Sequence, residues 1–287
     1  MERSKIRNIK ESGMKLLFFI AALTSIAAIL LMCVFLLANG VPAIKEIGIL
    51  NFITGKKWGP TQGLYGIFPM IVGSIYITAG AILIGVPIGI LTAVYLTKYS
   101  SKKMYRILKP AIELLAGIPS IVYGFFGLVV LVPFMQFLFG GSGKGVLTAS
   151  VLLGIMILPT LISVAQTSLK SLPDHYYEGS IALGATHERS IFFVMIPAAR
   201  SGIMAGIILG VGRAIGETMA VVMVAGNQAV IPNSILSGVR SLTANIVLEM
   251  GYAADLHRDA LISTALVLFV FILIINLSFS ILKRKEL

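Results

Sequence analysis

The sequence predicts an all-α membrane protein with about six transmembrane helices. Of the 287 residues, 57% are hydrophobic and only 12% are charged, and the mean hydropathy is +0.96. A soluble domain is roughly 45–50% apolar and about 25% charged, so this chain has too little polar surface to cover a water-soluble fold. Long apolar runs, and an uneven distribution of lysine and arginine between them, also indicate a membrane protein.

Each predicted span is a run of about 20 mostly apolar residues, which is the length that crosses a bilayer as a helix. The six runs lie at 15–38, 70–97, 111–139, 146–168, 201–225 and 260–282. Pro119 and Pro133 predict a kink or break in the third run, and Pro159 divides the fourth. The first run has no small-residue cleavage site after a short core, so we expect a membrane helix and not a removable signal peptide.

The basic residues orient these spans. With the N-terminus in the cytoplasm, sixteen of the 23 lysines and arginines fall in cytoplasmic segments, six in outer segments, and Arg213 within a span. Cytoplasmic loops are the ones enriched in lysine and arginine, so both termini are expected to be cytoplasmic in a multi-pass inner or plasma membrane protein. The net charge of +11 then serves to orient the chain in the membrane, and these basic residues can contact lipid headgroups. Nucleic-acid binding is not expected.

The sequence divides into four predicted parts. Residues 1–14 form a cytoplasmic N-terminal segment, and 15–69 form the first transmembrane helix with an outer loop. Residues 70–282 form a membrane core that contains a cytoplasmic loop at 170–200, and 283–287 form a cytoplasmic tail. The one cysteine, Cys33, lies in an apolar run, so no disulfide within the chain is possible.

The loop between the fourth and fifth spans is too long for a simple connection between packed helices. It reads KSLPDHYYEGSIALGATHERSIFFVMIPAARSG over 170–202. The spacing predicts a short helix over 176–182, a stop at Gly184, and a second short helix that ends at Pro197. On the residues alone, an amphipathic helix lying on the membrane is an equal alternative.

A resemblance decides between these alternatives. ABC importer permeases share a Glu-Ala-Ala triplet, a Gly four positions after its last Ala, and an Ile-x-Leu-Pro ending after nine more residues. This loop resembles that pattern with Glu178-Gly179-Ser180, then Gly184, then Val194-Met195-Ile196-Pro197. Small residues replace both alanines, and Gly179 weakens the helix by about 1 kcal/mol relative to Ala. The resemblance implies a type I ABC importer permease fold and a coupling role for Glu178, Gly179, Ser180, Gly184 and Pro197 against a cytoplasmic ATPase subunit.

Two further stretches, 55–78 and 213–228, resemble the phosphate-specific branch of these permeases, and SLTANIVLEMGYA at 241–253 resembles the PstC-type subunit. The resemblance implies four kinds of partner: a homologous PstA-type permease, two cytoplasmic ATPase subunits, an external phosphate-binding protein and membrane lipid. It implies no cofactor in this chain, because the partner subunits would use ATP. A permease for sulfate or molybdate is the alternative in the same class.

The chain shows no catalytic signature. It contains no G-x-x-x-x-G-K-[ST] phosphate-binding loop, and GGSGKGV at 140–146 is too short to be one. His175, His187 and His257 are far apart in the sequence, so we expect solvated loop residues and no metal site. An enzyme is therefore not expected, and a secondary transporter that works alone would leave the loop at 170–200 without a purpose.

Two charged residues lie inside the fifth predicted span. On a continuous helix, Arg213 and Glu217 share a face with Gly202, Gly206 and Gly210, and small residues let another helix approach closely. Arg213 would lie about 17 Å from the start of the span, near the middle of the membrane. Each such charge costs about 2.5–3.5 kcal/mol on insertion scales. We therefore expect Arg213 and Glu217 to line the substrate pathway; a purely structural ion pair four residues apart is the alternative.

Overall fold

Helices account for most of the structure, a computed structural model that describes the backbone of residues 2–285 and the side chains of 11–278 and 281. The first helix, α1 (Glu2–Ile47), is longer than the predicted first span. A short helix, α2 (Ile49–Thr54), follows it. An antiparallel hairpin of β1 (Trp58–Gly59) and β2 (Leu64–Tyr65) then precedes α3 (Phe68–Val94). A π-helical turn at Tyr95–Tyr99 ends this second span.

The third predicted span is interrupted at Pro119, as the prolines predict. An amphipathic helix, α4 (Lys102–Gly117), comes first and lies outside the span. The apolar span itself runs from Ser120 to Phe139 through α5 (Ser120–Phe126), a π turn, and α6 (Val132–Phe139). The fourth span, α7 (Val146–Lys170), is one helix that passes through Pro159 without a break.

The loop after α7 holds α8 (His175–Ala182), α9 (His187–Ser190), a π turn and α10 (Ile196–Ala198). The chain then bends by 69° into α11 (Arg200–Gly216). Of the residues described, five helices or helix series are long and apolar enough to span a membrane, and this bent pair makes a sixth if it counts as one span.

The predicted fifth span at 201–225 is not one helix. The chain leaves α11 after Gly216 and forms a separate short helix, α12 (Met219–Val224). A longer connection then leads to α13 (Leu242–Glu249), whose first turn is buried, and to the last span, α14 (Asp255–Lys285).

The core forms around α7, which packs against both α3 and α11. Glycines allow this close approach: a Cβ on Gly85 would lie 2.9 Å from the carbonyl oxygen of Gly154. On α11, a Cβ on Gly202 would collide with the Ser168 side chain. The hydroxyl of Ser150 on α7 donates a hydrogen bond of 3.2 Å to the carbonyl of Ile77 on α3. The predicted small-residue face of the fifth span therefore packs on α7.

The connections lie at two ends of this bundle. We call the end with residues 171–199 the loop face, and the end with the hairpin, residues 140–145 and residues 225–254 the hairpin face. Between the two faces, α1 exposes most of its apolar side chains, which is expected for a helix that meets lipid or another subunit.

Candidate functional site

Arg213 lies in the last turn of α11, about 20 Å along the helix from its first residue, and its side chain is half-buried. One guanidinium nitrogen, Nη1, donates a hydrogen bond of 3.3 Å to the hydroxyl of Thr160 on α7. Among the residues that the structure describes, no carboxylate oxygen lies within 4 Å of this guanidinium. Most of its five N–H donors therefore remain available to water or to an anion.

Arg213 and Glu217 do not lie on one continuous helix as the spacing predicts. No ion pair within 4 Å joins them among the residues described, so the alternative of a structural ion pair is not observed. The helix ends at Gly216, and Glu217 has an extended backbone with ψ 128°. Its carboxylate Oε1 accepts a hydrogen bond of 3.3 Å from the backbone N–H of Ala220, in the first turn of α12. Its backbone carbonyl accepts another, of 3.0 Å, from the hydroxyl of Thr243. These contacts hold the chain in a break between two helices beside Arg213.

The loop face has the helix–glycine–helix arrangement that the sequence predicts. Gly184 has a φ of +85°, a conformation that residues with a Cβ rarely adopt. Its N–H donates to the carbonyl of Ile181 at 2.9 Å, and the N–H of Ala185 donates to the carbonyl of Ser180 at 3.1 Å. The turn therefore closes the end of α8. Pro197 does not end the second helix, because α10 continues to Ala198 and the bend follows at Ala199.

The tip of this loop exposes apolar side chains. Leu183, next to the turn, is 91% exposed, and Ile181 on α8 is 40% exposed. Glu178 and Gly179 are exposed on the same helix, whereas Ser180 is half-buried and donates to the carbonyl of Tyr177 at 2.7 Å. An exposed apolar tip of this kind is typical of a surface that a partner protein covers.

A cluster of aromatic side chains that the sequence did not predict connects the loop to the turn after α3. The Tyr177 hydroxyl and Nδ1 of His187 share a hydrogen bond of 2.8 Å. The ring of Tyr99, in the π turn after α3, packs edge-on against His187 with 5.0 Å between centroids. The ammonium of Lys98 lies 5.0 Å above the Tyr177 ring. His187 is thus half-buried and not solvated as expected, although its sequence position gave no signal for this.

A second missed cluster lies at the hairpin face around Glu249, which is only 7% exposed. Arg240 donates to its Oε1 at 2.6 Å, and Trp58 donates to its Oε2 at 2.8 Å. Nε2 of His257 lies 2.9 Å from the same Oε2. Arg240 also donates to the side chain of Asn245 at 2.9 Å. One carboxylate thus joins the hairpin, α13 and the start of α14, and His257 is again not a solvated residue.

The comparisons with known proteins identify the family. A family model described as the inner membrane component of binding-protein-dependent transport systems matches residues 85–285. The chain belongs to this family. The predicted membership of the ABC importer permeases is therefore confirmed, and the loop motif at Glu178 to Pro197 lies inside the matched region.

Curated relatives cover nearly the whole chain. A probable ABC transporter permease, YqgH of Bacillus subtilis, is 40% identical over 94% of this chain and 91% of its own length. The phosphate transport permease PstC of Mesorhizobium japonicum is 37% identical over 87% of this chain and 84% of its own. A probable PstC of Methanocaldococcus jannaschii is 33% identical over 91% and 90%. These relatives are transport permeases by name.

Solved structures show the same fold at low identity. The inward-facing methionine ABC transporter MetNI matches with a TM-score of 0.59 at 20% identity, over 80% of this chain and 100% of that chain. A bacterial importer of alginate matches with a TM-score of 0.59 at 14% identity, over 91% and 98%. The predicted fold class, a type I ABC importer permease, is thus confirmed.

Proposed function

We propose that this chain is a permease subunit of an ATP-driven phosphate importer and that Arg213 and Glu217 line the translocation pathway. One observation supports the pathway most directly. Arg213 is a half-buried cation at the end of a membrane helix, and no carboxylate of the described chain lies within 4 Å of it. The named PstC relatives, over most of the chain, support phosphate as the substrate.

The physical argument for Arg213 rests on what an unpaired charge in a membrane requires. A cation there costs about 2.5–3.5 kcal/mol unless water, a counter-ion or a ligand compensates it. Among the residues described, Thr160 is the partner of one of the Arg213 donors. A planar guanidinium fits two oxygens of a phosphate at once, and its charge is permanent at any physiological pH. A passing anion therefore supplies the missing partner.

Glu217 has a different task in this proposal. Its carboxylate is held by Ala220 and its carbonyl by Thr243, so it fixes the break between α11 and α12. A negative charge at this point opposes tight retention of phosphate near Arg213. The free energy needed to release phosphate on the far side of the membrane is then lower than it would be from a pocket lined by cations alone.

The proposed partners follow from the family and from the lack of an ATP-binding phosphate loop in this sequence. We propose a homologous PstA-type permease, two ATPase subunits and an external phosphate-binding protein, with ATP used only by the ATPase subunits and no cofactor in this chain. The exposed tip at Leu183 would dock on the ATPase. In this arrangement the loop face and both termini would lie in the cytoplasm, and the hairpin face would lie outside, toward the binding protein.

Reconstitution tests the function. The purified assembly in liposomes should import labelled phosphate only when ATP and the binding protein are both present. Uptake without ATP would indicate a secondary transporter. Uptake of sulfate or molybdate in preference to phosphate would correct the substrate and leave the class of transporter unchanged.

A further inference from the structure

We propose that a groove at the loop face, between the π turn after α3, the start of α4 and the end of α7, binds a phosphate-bearing anion, with the headgroup of an anionic phospholipid as its source. The groove has a volume of about 310 Å³. Lys102, Arg106 and Lys170 line it together with Tyr105, and none of its lining residues is acidic. The binding mode is electrostatic attraction of a headgroup phosphate by these three cations.

The side chains of the groove already favour negative charge at the oxygen of Tyr105. Nζ of Lys170 donates to the Tyr105 hydroxyl at 2.9 Å and lies 4.5 Å from the centroid of that ring. This hydrogen bond holds the pKa of Tyr105 below its usual value, although partial burial opposes the effect. The oxygen of Tyr105 therefore marks a point of positive potential, where a phosphate oxygen is stabilised in the same way.

The charges of the groove are not compensated within the described chain. Lys109, one turn further along α4, pairs with Glu113 at 3.4 Å, and it does not line the groove. No ion pair within 4 Å joins Lys102, Arg106 or Lys170 to a carboxylate among the residues described. Three cations that line one groove repel one another, and an anionic ligand reduces this repulsion.

The rest of α4 fits a lipid better than a free anion. Met104, Ile107 and Leu114 are 40%, 58% and 74% exposed, and their spacing places them on one face of the helix. Such a helix, with basic residues beside an exposed apolar face, lies at a membrane surface. Acyl chains can pack on this face while the headgroup phosphate occupies the groove. A free phosphate would use the groove alone.

The groove is separate from the proposed translocation pathway. Lys170 lies ten residues from Thr160 on α7, which is about 15 Å along the helix axis. The proposal does not depend on which substrate is transported. Loss of the groove and loss of the Arg213 site can therefore be measured independently.

A binding titration tests the proposal. The full chain in detergent is titrated with dihexanoyl phosphatidylglycerol or dihexanoyl phosphatidylcholine, and the bound fraction is read by native mass spectrometry. Arg106→Gln with Lys170→Gln should weaken phosphatidylglycerol binding at least about tenfold. Lys15→Gln with Lys103→Gln removes the same charge from the exposed chain near this face and should change it little. Equal losses in both double variants, or equal binding of both lipids by the unaltered chain, would overturn the proposal.

A second measurement needs no variant and separates the two sources of the anion. Lys102 and Lys170 of the unaltered chain are acylated with an amine-reactive reagent, and the modified peptides are quantified. Protection by phosphatidylglycerol but not by inorganic phosphate supports a lipid headgroup. Protection by inorganic phosphate as well supports the anion site and replaces lipid by a free anion as the source. If neither ligand slows acylation of these lysines, the groove is not an anion site.

Discussion

The Tyr177 hydroxyl and Nδ1 of His187 share a hydrogen bond of 2.8 Å that closes the glycine turn of the loop from the inside. Because His187 also packs against Tyr99 at the end of α3, the turn is fixed to a membrane helix on one side. Its other side is the exposed surface around Leu183. We therefore expect a force on that surface to pass through Tyr177 and His187 to Tyr99 and α3.

We expect Tyr177→Phe to weaken coupling without preventing assembly. The variant keeps the ring above which Lys98 lies and removes a hydrogen bond that is worth roughly 0.5–1.5 kcal/mol. Phosphate imported per ATP hydrolysed should fall, while ATP hydrolysis itself continues. The exposed neighbour Tyr176 provides the control, since Tyr176→Phe should leave the ratio unchanged. An unaltered ratio in Tyr177→Phe would show that this contact does not transmit motion.

Gly184→Trp should abolish phosphate uptake while the chain remains in the membrane. At a φ of +85°, any residue with a Cβ costs about 1–2 kcal/mol, and the indole would also occupy the docking surface. Gly179→Ala is the control, because Gly179 is helical and an added Cβ would meet no described atom within 4 Å apart from its neighbours and its own helix backbone. That change should strengthen α8 by about 1 kcal/mol and keep uptake. Full uptake and full ATPase stimulation in Gly184→Trp would show that the turn at Gly184 has no coupling role.

Labelling from outside tests the orientation of the chain. Cysteines at Lys56 and Asn233, both exposed at the hairpin face, should react in intact cells with an impermeant thiol reagent, in a Cys33→Ala background. A cysteine at Lys103, exposed at the start of α4, should react only after the membrane is opened. The opposite pattern would reverse the proposed topology, because both faces would exchange sides.

Glu249→Gln should lower the stability of the hairpin face. The change leaves Arg240 and His257 without the carboxylate that they share, and breaking a buried ion pair is strongly destabilising. We expect the Tm of the purified chain to fall by about 5 °C or more. Glu46→Gln removes an exposed carboxylate and should have little effect. Equal Tm values for both variants would show that the cluster contributes nothing measurable.

The sequence was sufficient for the features that depend on composition and local spacing. Apolar runs predict the spans, Pro119 predicts the break before α5, and the position of Gly184 predicts the turn of the loop. Each of these follows from a property of the residue itself: its hydrophobicity, its missing N–H, or its tolerance of positive φ.

Tertiary contacts determine the features that the sequence did not predict, such as the end of α11 and the cluster around Glu249. The apolar run over 201–225 contains no local signal for the end of α11 at Gly216. The break is held by contacts of Glu217 with Ala220, in a separate helix, and with Thr243, 26 positions away. Likewise, Trp58 and Glu249 are 191 residues apart in the chain. Periodicity reports on one helix at a time, so it cannot bring such partners together.

The most direct test of the central claim compares uptake with assembly in three variants of the pathway residues. Arg213→Gln keeps much of the side-chain length and removes the charge. A charge-assisted contact with the anion is worth about 1.5–3 kcal/mol, so uptake should fall at least about tenfold with the amount of assembled complex unchanged. Lys103→Gln, at an exposed position at the start of α4, is the charge-matched control.

Glu217→Gln should also reduce uptake, because phosphate is then retained beside Arg213. The deciding variant changes both residues to Gln, and phosphate uptake and complex abundance are measured together in proteoliposomes supplied with ATP and the binding protein. We predict that the double variant assembles normally and does not transport. A double variant that transports at the unaltered rate would show that Arg213 and Glu217 only balance each other's charge, and it would contradict the proposed pathway.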